Sequence, residues 1–277
     1  MNNQKVWVVT GAARGLGLEI TTLLLAVGNR VIGTVRSKPE DLVKTINNKN
    51  FQAIVMDVTN EGQVINAIEE AIKIFGHIDV LVNNAGFGLI GAIEETSDED
   101  IKNNYATNVF GLLNVTRAIL PYFRKQRSGH IINMSSVAGL RGSAGWGIYA
   151  STKFAVEGIS EALAKELLPL NIFVTAIEPG YFRTNFLDVS SLSKTIPKID
   201  DYDGTVGVTR VRANEVNYKQ PGDPAKLAAA IIKVANSANP PVHLPLGKDS
   251  LNAYRLKTAE FEKDIEAWYD VIVGTDL

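Results

Sequence analysis

The sequence predicts an α/β fold, a doubly wound parallel β-sheet of about seven strands with helices on both faces and a helical C-terminal extension. Short runs of apolar and β-branched residues alternate with longer segments of helical periodicity. Parallel neighbours need a crossover connection, usually a helix, so this alternation is typical of a parallel sheet. Residues 1–180 contain no linker-like stretch, repeat or low-complexity segment. We therefore expect residues 1–277 to form a single domain.

The predicted strands are short apolar runs at Val6–Val9, Arg30–Val35, Phe51–Met56, Val80–Val82, His130–Met134 and Phe173–Ile177. The predicted helices carry apolar residues at intervals of three and four, over Gly15–Gly28, Asn60–Phe75 and Ser151–Leu168. Another helix begins with Asp98-Glu-Asp, and Ser97 is predicted to cap it. A serine hydroxyl accepts a free backbone N–H there, and acidic residues favour the N-terminus of a helix.

The chain changes character after Pro179, since residues 181–222 are polar and show no clear periodicity. Loops of that length are usually functional or disordered, and we expect this segment to be a lid over the substrate. A helix over Pro224–Ala235 and a proline-rich strand over 241–246 follow. Residues 248–277 are predicted to form the C-terminal helical extension, with an apolar stripe of Phe261, Ile265, Trp268 and Ile272.

Composition argues against several classes of function. The net charge is −2 and no long basic run occurs, so nucleic-acid binding has no electrostatic support. The absence of cysteine excludes disulfides and thiolate chemistry. His77, His130 and His243 lack metal-ligand spacing, so we expect no metal site. The N-terminus does not resemble a signal peptide and no apolar stretch is long enough to span a bilayer, which favours a cytoplasmic location.

A glycine-rich turn follows the first predicted strand and opens the first helix. It reads Thr10-Gly-Ala-Ala-Arg-Gly-Leu-Gly17. Glycines let the backbone approach a ligand, and a helix N-terminus offers free N–H groups to a phosphate. The spacing of Gly11, Gly15 and Gly17 departs from the GxGxxG dinucleotide pattern. The turn indicates a dinucleotide site, and the alternative is a turn with no ligand.

The end of the second strand favours NADP(H) over NAD(H). A carboxylate there would accept hydrogen bonds from the ribose hydroxyls of NAD, but no acid occurs before Glu40. Arg36 stands there instead and could bind the extra phosphate of NADP bidentately, with Arg14 on its other side. NAD(H) stays possible, because both arginines could simply be solvated.

Tyr149 and Lys153 lie four residues apart on a predicted helix and therefore share one face. A free tyrosine titrates near pH ~10, and a nearby ammonium favours the phenolate. The spacing predicts a lowered tyrosine pKa and proton transfer at neutral pH. Taken alone, the pair is also compatible with an ordinary surface helix.

Several further motifs occur in order along the chain. Four follow predicted strands: Asp57-Val58, Asn83-Asn-Ala-Gly86, Ser136 thirteen residues before Tyr149, and Pro179 to Thr184. The other is Asn108, which lies on a predicted helix. Together with the glycine turn and the Tyr149–Lys153 pair, they resemble the short-chain dehydrogenase/reductase family in its compact single-domain branch. The resemblance covers about residues 5–184 and implies a Rossmann-like fold.

The resemblance also implies roles for individual residues. Ser136 would hydrogen-bond the substrate carbonyl, Tyr149 would transfer the proton, Lys153 would bind the nicotinamide ribose, and Asn108 would hold a water. Ser135 is the competitor of Ser136, and strand alternation turns it the other way. The implied cofactor-binding residues are Gly11, Arg14, Gly15, Leu16, Gly17, Arg36, Asp57, Val58, Asn84, Ala85, Gly86, Tyr149, Lys153, Pro179, Gly180, Phe182 and Thr184.

The expected substrate residues are mostly apolar, which favours a hydrophobic ketone, aldehyde or alcohol. We place Ser136, Trp146, Tyr149, Tyr181 and Phe186 against the substrate, although each aromatic ring could instead belong to the core. Further candidate walls and two arginines that could hold an anion are Phe87, Leu89, Leu140, Phe182, Arg141 and Arg183.

These inferences predict an NADP(H)-dependent carbonyl reductase or alcohol dehydrogenase. The alternatives are a non-catalytic NADP sensor, and an epimerase or dehydratase, which shares the Tyr–Lys pair. The family's tetramer is doubtful here, because its Asp-Gly-Gly run is replaced by Pro240 to Gly247 and a further helix follows. A homodimer through the helices that carry Asn108 and Tyr149 is possible.

Overall fold

A computed structural model describes residues 4–196 and 198–277. Its main sheet has seven parallel strands in the order β3-β2-β1-β4-β6-β7-β9, which reverses direction next to β1 as in doubly wound folds. These strands are β1 (Val6–Val9), β2 (Arg30–Val35), β3 (Phe51–Val55), β4 (Val80–Asn83), β6 (Gly129–Met134), β7 (Ile172–Pro179) and β9 (His243–Leu246). The predicted fold class is confirmed.

The helices that cover the sheet are α1 (Gly15–Ala26), α2 (Pro39–Ile46), α3 (Glu61–Phe75), α5 (Leu112–Gln126), α7 (Gly147–Leu167) and α9 (Pro224–Ala235). Side chains of β1 alternate between two cores. Trp7 and Val9 pack with α1 and α9, whereas Val6 and Val8 pack with α3 and α5. Because both faces of the sheet are covered, the strands are continuous apolar runs. Such runs can be recognised in the sequence, which is why the strands were predicted.

Capping side chains fix the beginnings of several helices. Asn60 accepts a hydrogen bond from the backbone N–H of Gln63, so α3 begins at Glu61. Ser97 accepts from the N–H of Asp100 and caps α4 (Asp98–Tyr105) as predicted. Helix α2 was not predicted, although Pro39 at its first position, Glu40 and Asp41 in its first turn and Lys44 in its last turn are local helix signals. Its start is unusual, because Lys38 precedes it with a left-handed backbone.

The helix that carries Tyr149 begins earlier than predicted. It starts at Gly147 instead of Ser151, so Tyr149 lies in the first turn and Lys153 in the second. Another unpredicted feature is a π-helical segment over Ala106–Gly111, between α4 and α5. Such segments break the regular hydrogen-bond ladder and are frequent at functional sites.

Residues 181–222 contain regular structure that the sequence analysis did not predict. Strand β8 (Leu192–Lys194) pairs in parallel with β5 (Gly88–Ile90), which forms a second sheet of two strands. Helix α8 (Val208–Val216) follows. Arg210 of α8 pairs with the buried carboxylate of Glu95, which also accepts hydrogen bonds from the backbone N–H groups of Ala92 and Ile199. This buried ion pair fastens the segment to the main domain.

The C-terminal extension consists of α10 (Lys248–Ala267) and α11 (Tyr269–Val273), and a short helix α6 (Val137–Leu140) packs against α10. The single predicted helix is interrupted at Trp268, and the side chains of Phe261, Trp268 and Ile272 are exposed. Within the described residues, no helix combines the length and apolar character that a bilayer crossing requires.

Candidate active site

One cavity of about 1120 Å³ opens where the carboxyl ends of the strands meet residues 181–192. It extends from the glycine turn and Arg36 at one end to Trp146 and α10 at the other. Ligands of open α/β sheets bind in this place, at the point where strand order reverses. The cavity therefore defines the candidate active site.

The glycine turn is held by side chains of its own neighbourhood. Gly11 and Gly15 have φ of +66° and +54°, which favour glycine. The hydroxyl of Thr10 accepts from the backbone N–H groups of Asn84 and Ala85, both at 2.9 Å, and the Asn84 amide donates to the Thr10 carbonyl. Thr10 and Asn84 thus fix the turn, and Gly15 and Leu16 at the start of α1 line the cavity.

Gly17 serves packing within the turn. A Cβ at Gly17 would lie 2.3 Å from the Gly11 carbonyl oxygen and 2.6 Å from the Asn84 Nδ2. Among the cofactor residues implied by the resemblance, Gly17 is therefore behind the wall of the cavity. The other residues of that set line the cavity itself.

Two arginines lie near the glycine end of the cavity. Arg36 is exposed at the end of β2 and lines the cavity. Arg14 also lines it, and its guanidinium donates to the backbone carbonyl of Ser190. Asp57 accepts from the backbone N–H and hydroxyl of Thr59, which orients its carboxylate at the cavity edge. This donor set, a glycine turn at a helix N-terminus with nearby cations, fits a dinucleotide phosphate.

Tyr149 is buried at the other end of the cavity between two aromatic rings. Its ring centroid lies 5.6 Å from that of Trp146 and 5.7 Å from that of Phe186. Burial raises the pKa of Tyr149 well above its usual value, while the neighbouring hydroxyl of Ser136 acts in the opposite direction. The expected lowered pKa is wrong for this structure, because burial outweighs the favourable neighbours.

Lys153 lies one helical turn after Tyr149, with its Nζ 5.7 Å from the tyrosine ring centroid. The ammonium donates to the Met134 carbonyl at 2.8 Å. Burial lowers the pKa of Lys153 to about 8, while the charge of Glu157 acts to raise it. At neutral pH the ammonium form of Lys153 is therefore still favoured, by a smaller margin than for an exposed lysine.

Ser135 and Ser136 have different surroundings, as strand alternation predicted. Ser136 precedes α6 and its hydroxyl accepts from the Ala138 N–H at 3.1 Å. The hydroxyl of Ser135 is buried and has no hydrogen-bond partner among the described residues. Ser136 lies beside Tyr149, which makes it the serine that can share a substrate oxygen with the tyrosine.

Asn108 lies within the π-helical segment, and both polar atoms of its side chain make hydrogen bonds. Its Oδ1 accepts from the Phe87 N–H, and its Nδ2 donates to the Phe87 carbonyl and the Thr152 hydroxyl. Asn108 does not line the cavity, but a Cβ at Gly86 would meet both its Oδ1 and Lys153 Nζ. The side chain therefore holds the cavity wall in place next to the lysine.

The comparisons with known proteins agree with this geometry. The family profile described as short chain dehydrogenase matches residues 5–194. The chain belongs to the short-chain dehydrogenase/reductase family. It is therefore an oxidoreductase of the short-chain dehydrogenase type.

Individual relatives extend the likeness beyond residue 194. A 3-ketodihydrosphingosine reductase of Bacteroides thetaiotaomicron is 38% identical over 243 residues, which cover 88% of each chain. The crystal structure of a short-chain dehydrogenase from Streptomyces avermitilis is 37% identical with a TM-score of 0.92, and covers 99% of this chain and 100% of its own. ElxO with NADP bound is 27% identical with a TM-score of 0.75, covering 90% and 99%.

The apolar end of the short-chain dehydrogenase cavity contains most of the expected substrate walls. Phe87, Trp146, Tyr181, Phe182 and Phe186 line it, and so does Arg141. Leu89 is buried in β5, and neither it nor Leu140 nor Arg183 lines the cavity, so these three expectations are wrong. The sequence analysis missed Asn252, Ala253 and Leu256 of α10, which close the far wall.

Three ionisable residues meet behind Lys153 without any signal in the sequence. The Nδ1 of His243 lies 3.1 Å from a carboxylate oxygen of Glu157 and 2.9 Å from one of Glu178. Glu157 comes from α7, Glu178 from β7 and His243 from β9. Only the tertiary fold brings them together, since they are separated by at least 21 residues.

Proposed function

We propose that this short-chain dehydrogenase is an NADP(H)-dependent reductase of hydrophobic ketones or aldehydes, with Tyr149 as the acid. One observation carries the proposal. A buried tyrosine hydroxyl, which burial keeps protonated by raising its pKa, lies beside Ser136 and Lys153 at one end of a cavity whose other end is the glycine turn at the start of α1. A neutral phenol suits a group that gives its proton to a carbonyl oxygen.

The residues divide the work of reduction. The Ser136 hydroxyl donates a hydrogen bond to the substrate carbonyl oxygen, which orients the carbonyl and stabilises the negative charge that develops there. Tyr149 donates its proton to the same oxygen, and the carbonyl becomes an alcohol. Proton transfer of this kind typically contributes 10²–10⁴-fold to the rate.

Lys153 stabilises the phenolate form of Tyr149 until that form takes up a new proton. The bound nicotinamide would supply the hydride, and the protein contributes orientation and electrostatics. After proton transfer Tyr149 is a phenolate, which the ammonium of Lys153 stabilises by its charge. Lys153 would also donate to the nicotinamide ribose, as the family resemblance implies. A proton from solvent returns the phenolate to the phenol, so that each reduced carbonyl consumes one hydride and one proton.

The preference for NADP(H) rests on Arg36 and Arg14. Both are exposed cations at the phosphate end of the cavity, and no carboxylate lies at the end of β2. A guanidinium binds a phosphate bidentately, whereas a carboxylate in that position would repel it. ElxO, which was solved with NADP bound, shows that a chain of this fold and similar sequence accommodates this cofactor.

A hydrophobic substrate is favoured by the rings around Tyr149. Trp146 and Phe186 flank the hydroxyl-bearing ring, and Leu187 and Leu256 continue the apolar surface. The Bacteroides relative is named as a reductase of a 3-keto compound, which supports a ketone as the reacting group. We expect an apolar chain or ring to lie between α10 and residues 186–192.

The test is NADPH oxidation by a panel of aromatic ketones, aliphatic aldehydes, quinones and steroids, with NADH measured in parallel. Turnover of an apolar carbonyl that is faster with NADPH is the expected result. Cofactor binding without turnover of any carbonyl would favour the NADP sensor. A cofactor that stays bound in its oxidised form through purification would favour an epimerase or dehydratase.

A further inference from the structure

The cluster behind Lys153 contains two buried carboxylates that share one imidazole. The side chains of Glu157 and Glu178 are 9% and 1% exposed, whereas that of His243 is 43% exposed and reaches the surface. The other imidazole nitrogen of His243 lies 3.5 Å from the exposed carboxylate of Glu161. Burying a carboxylate is costly unless it has a cation or a hydrogen-bond donor beside it. Glu157 and Glu178 therefore depend on His243 to stay buried next to each other.

Glu157 is connected to the proposed proton-transfer residues by its position on α7. It follows Lys153 by one helical turn, and the two side chains lie on the same buried face. Its charge raises the pKa of Lys153 against the effect of burial. The Met134 carbonyl, to which the ammonium donates, is neutral. Glu157 is thus the anion that keeps the lysine protonated.

One carboxylate oxygen of Glu157 makes no hydrogen bond with the described residues. Its Oε2 contacts His243, but its Oε1 is buried without a hydrogen-bond partner among the described residues, as is the Ser135 hydroxyl. A Cβ at Gly139 would lie 3.0 Å from this Oε1 and 2.6 Å from Ser135 Oγ. The unpaired oxygen of Glu157 and the Ser135 hydroxyl therefore both border Gly139 of α6, next to Ser136.

We propose that Glu157, anchored by His243, is a positioning residue that sets the pH range over which Tyr149 and Lys153 exchange protons. The inference rests on the proposed function, in which Tyr149 is the acid. Glu157 acts from behind the lysine and does not touch substrate. His243, which holds Glu157 in place, is half-exposed and can exchange protons with solvent.

Removing the charge of Glu157 should change the pKa values of Lys153 and Tyr149 in the same direction. A nearby anion disfavours loss of a proton from an ammonium and from a phenol, so removal of the anion lowers both pKa values. The alkaline limit of carbonyl reduction should then move to lower pH. The other ionisable groups in contact with this cluster are Glu161 and Glu178, which both lie against His243, while Tyr181 is the ionisable neighbour of Tyr149.

The experiment compares pH profiles of kcat/KM for carbonyl reduction in the wild type, Glu157→Gln and Glu161→Gln. Glu161 is a matched control, because it lies on the same helix and contacts the same histidine but is exposed. Glu157→Gln should move the alkaline limb to lower pH by roughly two units, as for a unit charge about 6 Å away on the next helical turn at an effective dielectric of ~20. Glu161→Gln should leave the limb in place.

Three outcomes decide between the ideas. If Glu157→Gln lowers kcat but keeps the wild-type pH limb, its role is structural and the inference is overturned. If Glu157→Gln does not fold, His243→Lys replaces it, since a permanent cation at this half-exposed position neutralises Glu157 and should shift the limb in the same direction. An unshifted limb in that variant also overturns the inference. A wild type without turnover contradicts the proposed function instead.

Discussion

Trp146 packs edge-on against Tyr149, with ring centroids 5.6 Å apart and ring planes at 61°. Trp146 directly precedes α7, and Tyr149 lies in its first turn. The start of one helix therefore sets both the apolar wall of the cavity and the proposed acid. Phe186 closes the opposite side of the tyrosine at 5.7 Å and comes from residues 181–222. Movement of that segment would change the surroundings of the Tyr149 hydroxyl.

Replacing the proposed acid should remove turnover and spare cofactor binding. Tyr149→Phe lacks only the hydroxyl, and we expect kcat for carbonyl reduction to fall by roughly 10²–10⁴-fold. NADPH affinity, measured by the fluorescence of the bound cofactor, should change little. Tyr105→Phe is the control, because the Tyr105 hydroxyl donates to Ser151 outside the cavity. Equal rates for both variants would show that Tyr149 is not the acid.

Reversing the charge at the end of β2 should change cofactor preference. Arg36→Asp places a carboxylate where the NADP phosphate is proposed to bind, so the ratio of kcat/KM for NADPH over NADH should fall by roughly 100-fold or more. Lys44→Asp makes the same change of charge on the exposed α2, away from the cavity. An unchanged ratio in Arg36→Asp would contradict the proposed preference for NADP(H).

The buried ion pair between Arg210 and Glu95 should hold residues 181–222, the predicted lid, against the main domain. Burial acts to raise the pKa of Glu95, but hydrogen bonds from Arg210 and two backbone N–H groups lower it to about 2. Arg210→Met leaves a buried carboxylate without its partner, so the lid should open more often. We expect KM for the carbonyl to rise roughly tenfold and protease cleavage within 181–222 to accelerate. Arg212 lies on the exposed side of α8, so Arg212→Met should change neither KM nor the rate of protease cleavage. Equal protease resistance in both variants would show that the Arg210–Glu95 ion pair does not hold the segment in place.

Stability should fall in mild acid because of His130. Burial, and then the charge of Lys5, lower the pKa of His130 to about 4. Below its ordinary value near ~6.5 the unfolded chain binds a proton that the folded chain does not, so stability is lost as the pH falls from that value toward 4. At pH ~5 the loss from this group is about 2 kcal/mol. Urea unfolding of His130→Gln should show that much less destabilisation between pH 7.5 and 5, and an identical pH dependence would refute the assignment.

The strands were predictable because a parallel sheet covered on both faces consists of uninterrupted apolar runs. Val6–Val9 and Arg30–Val35 match the structure without adjustment. The motifs at the strand ends were also readable, since each has a local physical reason, such as the positive φ of Gly11 and Gly15. Helix boundaries were less predictable. The start of α7 at Gly147 has no capping side chain to mark it.

Features that depend on distant residues could not be predicted from local patterns. The pairing of β5 with β8 joins segments about 100 residues apart, and the contact of Arg14 with Ser190 spans 176. Burial of Tyr149 depends on residues from several elements, and it reverses the pKa direction that the Tyr–Lys spacing favours. The Glu157–Glu178–His243 cluster was missed for the same reason.

The most direct test of the central claim follows one hydride and its dependence on Tyr149. The enzyme is incubated with an apolar ketone from the panel and NADPH that carries deuterium at the transferred position, and the product is analysed by mass spectrometry. The account predicts an alcohol with one deuterium on the carbinol carbon in the wild type, and almost none with Tyr149→Phe. Bound NADPH without deuterium transfer to any carbonyl, or equal transfer in Tyr149→Phe, would contradict it.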